Sequence, residues 1–303
     1  MYGYILAFLS GTCTGLTVAV GKVAAQHLSA SMYVFLISFL SLLMMYVWRS
    51  MTLTWKINLP EATVRWPVFW QSACSALALW GFWEGARQIN TGVASFAVRT
   101  ELVFVLVASW IFFKEKIEKV GVLGAALILF GSFAMGFRPD ESLMLEAGQD
   151  PAIYTYGISI VILSGVGFAA SECFAKIIAN RIEPSALVMW RGLFLGLVFF
   201  VMVLVEDGFE AFGRVTAWDW IICAAAALLG PVFARVLFMF SLRRIDLGKA
   251  YLICQNEPIV TAVFAWVLIG EKMSPGNITG AVLILIGCVV ISLPGLSKPH
   301  QSA

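Results

Sequence analysis

Two stretches decide the fold: residues 91–136, TGVASFAVRTELVFVLVASWIFFKEKIEKVGVLGAALILFGSFAMG, and residues 247–292, LGKAYLICQNEPIVTAVFAWVLIGEKMSPGNITGAVLILIGCVVIS. Laid on each other at a constant shift of 156, without a gap, they share 13 residues. These are Gly92/Gly248, Ala94/Ala250, Glu101/Glu257, Val107/Val263, Trp110/Trp266, Glu115/Glu271, Lys116/Lys272, Gly124/Gly280, Ala125/Ala281, Leu127/Leu283, Ile128/Ile284, Leu129/Leu285 and Gly131/Gly287. Apolar sequence matches Leu and Ile by chance. It does not readily match two Glu, a Trp and three Gly in register, so the two stretches are copies of one unit.

Working outward, the unit grows to half the chain. At a shift of 154, Leu9-Ser10-Gly11 falls on Leu163-Ser164-Gly165 and Lys22 on Lys176. Apolar runs of membrane-spanning length recur throughout, each near the 20 residues needed to cross about 30 Å of hydrocarbon. They predict helices near 4–24, 31–48, 66–88, 91–113, 119–137, 154–178, 185–205, 217–241, 247–269 and 276–293. The breaks carry loop chemistry: Arg49 to Arg65 with Pro60, Arg138-Pro139 to Pro151, and Glu183-Pro184. The expected fold is therefore an all-α integral membrane protein of ten transmembrane helices, arranged as two inverted five-helix repeats. An odd number of crossings per half forces the second half to enter the bilayer from the opposite side. The expected divisions are a first repeat over 1–138, an acidic external linker over 139–153, a second repeat over 154–293 and a cytoplasmic tail over 294–303.

Composition agrees. Of 303 residues 60% are hydrophobic and 13% charged, against about 25% charged in a soluble protein, and the mean hydropathy is +0.89. With a net charge of +2 no acidic or basic partner, nucleic acid included, is implied. The six cysteines all lie in apolar runs, and His27 and His300 are the only histidines, so neither a disulfide framework nor a metal site is expected. Cofactors are likewise not expected. No Lys or Arg precedes the first apolar run, so that run is read as a retained helix rather than a cleaved signal. With the N-terminus inside, ten Lys and Arg fall in inner loops and five in outer ones. That asymmetry places both termini in the cytoplasm.

The end of each fourth helix and the whole of each fifth carry a resemblance. In the second half this reads Glu257-Pro258, then Trp266 to Gly270-Glu271-Lys272, then Gly280-Ala281 to Gly287. The chain resembles the drug/metabolite transporter superfamily, of the EamA-like type, with two five-helix repeats. The first half departs from the pattern, with Leu102 in place of the proline and Lys114 in place of the glycine before Glu115. The resemblance implies a secondary transporter, an exporter of metabolites such as amino acids, in a bacterial inner membrane. Its partners are then the lipid bilayer, a small-molecule substrate and protons as coupling ion, while the oligomeric state is not readable.

Ionisable groups in mid-membrane cost roughly 2.5–3.5 kcal/mol each on insertion scales, so they mark pathways or pairs. Glu101 and Glu257 lie one residue from the centres of their predicted helices and are repeat-equivalent. Each suits a substrate-amine anchor or a coupling carboxylate; the competing role is to neutralise a neighbouring Arg. Arg99, two positions from Glu101, is on another face of its helix and is expected to reach across toward Glu257 or a substrate carboxylate. Arg235 lies about 9 Å past the middle of its helix, and its planar fork suits carboxylates or phosphates. Gln255 and Asn256 add uncharged hydrogen-bonding capacity beside Pro258, whose missing N–H is tolerated in a helix lining a cavity. Trp80 is a candidate cavity wall, although belt and packing roles are commoner for membrane Trp. Glu172 and Lys176, spaced i, i+4, read as a local pair. Glu115-Lys116 and Glu271-Lys272 read as helix-end anchors and caps. Gly11/Gly15, Gly81/Gly85, Gly192/Gly196 and Gly276/Gly280 form G-x-x-x-G pairs that let helices approach closely.

An intramembrane enzyme would need a His-based acid/base pair, a G-x-S-x-G elbow or a paired-Asp metal motif, and the predicted helices hold none of these. A receptor or scaffold would normally carry a soluble domain, yet the longest loop is about 16 residues, far below domain size. A Walker-type phosphate loop is also missing.

Overall fold

The apolar runs become helices in the computed structural model, which describes residues 2–24, 28–52, 61–86, 88, 97–115, 119–136, 151–269 and 275–292. The helices are α1 (Tyr2–Ala24), α2 (Ala30–Thr52), α3 (Ala62–Ala86), α4 (Glu101–Phe113), α5 (Lys119–Gly136), α6 (Pro151–Ile178) and α7 (Pro184–Glu206). They continue as α8 (Ala217–Leu242), α9 (Leu247–Cys254), α10 (Glu257–Ile269) and α11 (Pro275–Ser292). Helix starts follow local chemistry. Pro151, Pro184 and Pro275 open their helices, where a missing N–H costs nothing. Thr216 and Asp219 form a reciprocal capping box at the start of α8.

The predicted helix 247–269 is in fact two, α9 and α10, separated by a turn at Gln255-Asn256. In the first half residues 97–98 are helical, Arg99-Thr100 form a turn, and α4 begins at Glu101. Positions 99–100 and 255–256 are repeat-equivalent, so both fourth helices break at the same place. Pro258 is therefore not what makes the break, because the first half does it with Leu102 at that position. By length and apolarity α1, α2, α6, α7 and α8 are long enough to cross a membrane, and shorter apolar helices cover Glu101–Phe113, Lys119–Gly131 and Ile278–Val290. The fourth-helix breaks explain part of the difference from the expected ten. In α3, the buried Gln71, Ser72 and Ser75 dilute an otherwise apolar helix.

The helix pairs reveal how the halves meet. At one end of α2, Ser29 and Ser31 bond to Asp207 and Glu206 at 2.5 and 2.7 Å. At the other end, Arg49 reaches Glu183 and Ser185, each at 2.9 Å. Equivalent helices α2 and α7 thus lie side by side and antiparallel. So do α5 and α11: a Cβ on Gly131 would stand 2.7 Å from the Gly280 carbonyl, and one on Gly287 2.8 Å from that of Gly124. The remaining pairs follow suit, α3 along α6 as α1 along α8, and α4 against α6 as α10 against α1. Exchanging the halves maps each pair onto another or onto itself, as a pseudo-two-fold axis between α2/α7 and α5/α11 requires.

Candidate functional site

The breaks are held open by the first helix of the opposite half. Gly11 and Gly15 of α1 leave no room for a side chain against Cys254, Asn256, Glu257 and Val260. Asn256 Nδ2 donates to the Phe8 carbonyl at 3.0 Å and to Thr12 Oγ1 at 2.9 Å, and Thr261 Oγ1 donates to the Gly15 carbonyl at 3.1 Å. Side chains at the break thus fasten it to the α1 backbone, which the two glycines bring within reach. In the first half Gly165 of α6 does the equivalent against the Glu101 backbone, where a Cβ would lie 3.2 Å from its nitrogen.

A second irregularity sits in α8, where Leu228–Ala234 is π-helical and contains Pro231. Proline removes a donor and presses on the carbonyl four residues earlier, and a wider turn relieves both. Ser10 Oγ donates to the Ala234 carbonyl at 2.9 Å, bracing the segment from α1. One extra residue in a turn rotates the rest of the helix by about 100°. Arg235, the first residue after the wide turns, is thereby aimed at α6.

There it meets Glu172: Arg235 Nη1 donates to both carboxylate oxygens, at 2.8 and 2.9 Å, with 11% and 14% of the two side chains exposed. Arg235 Nε and Nη2 are buried and have no partner among the described residues. Arg191 of α7 lies within electrostatic reach of both. Its Nε points to Ser75 Oγ at 3.5 Å, and Ser75 shares a 2.7 Å hydrogen bond with Ser171, which in turn accepts from Gln71 Nε2 at 3.1 Å. Around the breaks, Arg99 Nη2 is 3.6 Å from Glu257 Oε1, and its Nη1 donates to Gln255 Oε1 at 3.1 Å. Tyr251 of α9 lies beside Glu101, which is also within electrostatic reach of Glu172, Arg99 and Glu257. Three carboxyl groups and three guanidiniums, drawn from both halves, thus gather where the broken helices meet. Pairing of opposite charges, as between Arg235 and Glu172, is what makes such burial tolerable.

The structure therefore gathers Arg99, Glu101, Arg235, Gln255 and Glu257. Asn256, also a sequence candidate, turns into α1 and serves the break. Trp80 is 39% exposed and lies on the face of α3 that carries Trp66, Phe69, Trp70 and Leu77; it belongs to the outer apolar surface. The expected Glu172–Lys176 pair is corrected: Glu172 turns to Arg235, and Lys176 Nζ caps α8 through the Leu242 and Ile245 carbonyls at 2.9 and 2.7 Å. Local spacing loses here because a helix end offers Lys176 unpaired carbonyls. Glu115 is a cap in fact, accepting from the Leu247 and Gly248 nitrogens of α9 at 2.8 and 3.1 Å. Its equivalent Glu271, with Lys272 and Lys116, lies outside the described residues. Sequence reasoning passed over Arg191 and Tyr251 as site residues. The signal for Arg191 was present, since a mid-bundle cation requires a carboxylate; Tyr251 gave none, its repeat-equivalent being Ser95.

Comparison with known proteins bears on this arrangement. The model of the EamA-like transporter family matches residues 1–137 and 155–293. The riboflavin transporter ImpX of Fusobacterium nucleatum is 25% identical over 202 residues, 66% of this chain and 66% of that protein. The uncharacterized transporter YoaV of Bacillus subtilis is 25% identical over 209 residues, 67% of each chain. The uncharacterized transporter sll0355 of Synechocystis is 22% identical over 217 residues, 69% of this chain and 65% of its own. The chain thus spans about two thirds of the length of these curated relatives. A solved crystal structure superposes with a TM-score of 0.77, covering 94% of this chain and 96% of its own at 14% identity. That likeness concerns the fold alone.

Proposed function

We propose that this chain, which belongs to the EamA-like transporter family, is a secondary transporter of small polar metabolites such as amino acids. The observation that carries the reading is the charge cluster itself. Glu101, Glu257, Arg99 and Arg235 come from both halves and converge on the broken fourth helices, with Gln255 on the axis between them. Discontinuous helices at a repeat interface are where transporters bind substrate and coupling ion. Alternating access then rocks one half against the other around this fixed centre. In this reading the chain crosses the membrane ten times, with both termini in the cytoplasm and the segment 139–153 outside. The repeats occupy 1–138 and 154–293, export runs from the cytoplasm across an inner membrane, and protons drive it through a carboxylate.

A flavin is the second reading, favoured by the name of the Fusobacterium relative. The test uses purified protein in liposomes, loaded with labelled amino acids or riboflavin, with and without an imposed pH gradient. Saturable, gradient-sensitive efflux that is lost in Glu101→Gln or Glu257→Gln supports coupled transport through that carboxylate. Gradient-insensitive flux that survives both substitutions removes the coupling role. No flux from folded protein removes the transport reading.

A further inference from the structure

We propose, resting on the reading of the cluster as the transport site, that the Nε–Nη2 edge of Arg235 receives a substrate carboxylate, with Arg191 as second cation. The guanidinium offers its donors in a rigid plane. Glu172 engages Nη1 alone, with both of its oxygens on that one nitrogen. The donors left over are Nε and Nη2, buried without a partner among the described residues. Those two N–H bonds run parallel at the spacing of two carboxylate oxygens, the geometry of a bidentate pair. A buried charged donor left unpaired is costly, so a site that keeps two of them is shaped for something that supplies two acceptors.

Charge selects the ligand class. Arg191 and Arg235 against Glu172 leave one positive charge, which a monocarboxylate neutralises and a dianionic phosphate would overturn. Across from them Glu101 and Glu257 stand around a single cation, Arg99, with Tyr251 beside Glu101. The centre thus offers two guanidiniums toward α8 and carboxyl oxygens of Glu101 and Glu257 beside Arg99, a match for a zwitterion whose carboxylate lies toward α8. Arg191 acts through position as well as charge, because the chain Gln71–Ser171–Ser75 ties its Nε to α3 and α6. The wide turns of α8 also gain a role: they set the angle at which Arg235 presents its free edge.

The test is competition in proteoliposomes. The probes are labelled leucine, glutamine and lysine, each competed with itself and with its carboxamide, and riboflavin, which has no carboxylate. Acid outcompeting amide in wild-type protein, with Arg235→Lys reducing that preference about 10- to 100-fold, is the expected result and the scale of one charge-assisted hydrogen bond. Lysine keeps the charge facing Glu172 and removes the planar edge, so a merely structural role predicts an unchanged acid-to-amide ratio. Equal competition by amide and acid in wild-type protein overturns the proposal even if the variant does not fold. Flux of riboflavin but of no amino acid also overturns it, while the transporter reading stands. No flux of any probe removes both.

Discussion

Arg99 and Gln255 occupy equivalent positions of the two halves, and Arg99 Nη1 donates to Gln255 Oε1 at 3.1 Å. Points related by a two-fold operation come this close only beside the axis. The pair therefore marks where the axis crosses the charge cluster. Its asymmetry decides which carboxylate gains a partner: the guanidinium sits 3.6 Å from Glu257, whereas Glu101 faces a tyrosine.

Removing that cation strands Glu257. Arg99→Gln is expected to lower unfolding stability in detergent by roughly 1–3 kcal/mol, between the limits for exposed and fully buried pairs. Adding Gln255→Arg returns a cation to the axis and should recover part of the loss. A further fall in melting temperature in the double variant would contradict the axial placement.

The α5–α11 seam makes a symmetric prediction. Gly131→Ala and Gly287→Ala each place a methyl within 2.8 Å of an opposing carbonyl, so each should cost about 1–3 kcal/mol of overpacking. The two losses should be similar. Gly213→Ala, where nothing lies within 4 Å of the added carbon, should leave stability unchanged. Thermal unfolding of the three variants side by side settles whether the seam is two-fold.

Much of this was legible in the sequence, because a repeat reveals itself through residues that are rare in apolar runs. Glu101, Glu257 and the glycines of the fifth helices gave the duplication, while the contact that Gly131 and Gly287 make between the halves came only with the packing. Arg99 was legible too, since helical geometry turns it away from Glu101. The breaks were not. Local propensity favours continuing the helix through Arg99-Thr100, and only packing of α1 and α6 against those turns reverses it. Glu172 was misjudged for a related reason: its partner lies on a helix whose π-helical turns no periodicity predicts.

Lys114 ends α4 with a positive φ of 53°. Its repeat-equivalent is Gly270, the residue that adopts such a conformation without steric cost. Lys114→Gly should therefore raise stability by about 0.5–1 kcal/mol. A drop in melting temperature would mean that the lysine side chain contributes more than its backbone strain removes.

Glu115 holds α9 by its first two nitrogens, and Ser109 Oγ donates to the same carboxylate. Glu115→Ala should cost about 1–2 kcal/mol, the range for a lost helix cap. Hydrogen exchange would place the loss in residues 247–250 rather than across the chain. Uniformly faster exchange would argue against a local cap.

The difference between Arg99 and Gln255 has one more consequence. A five-helix chain assembling with its own copy must present the same residue on both sides of the axis: two guanidiniums repelling one another, or two amides without charge. Joining the halves in one polypeptide lifts that constraint of identity. This centre holds a single axial cation because its two sides are free to mutate separately.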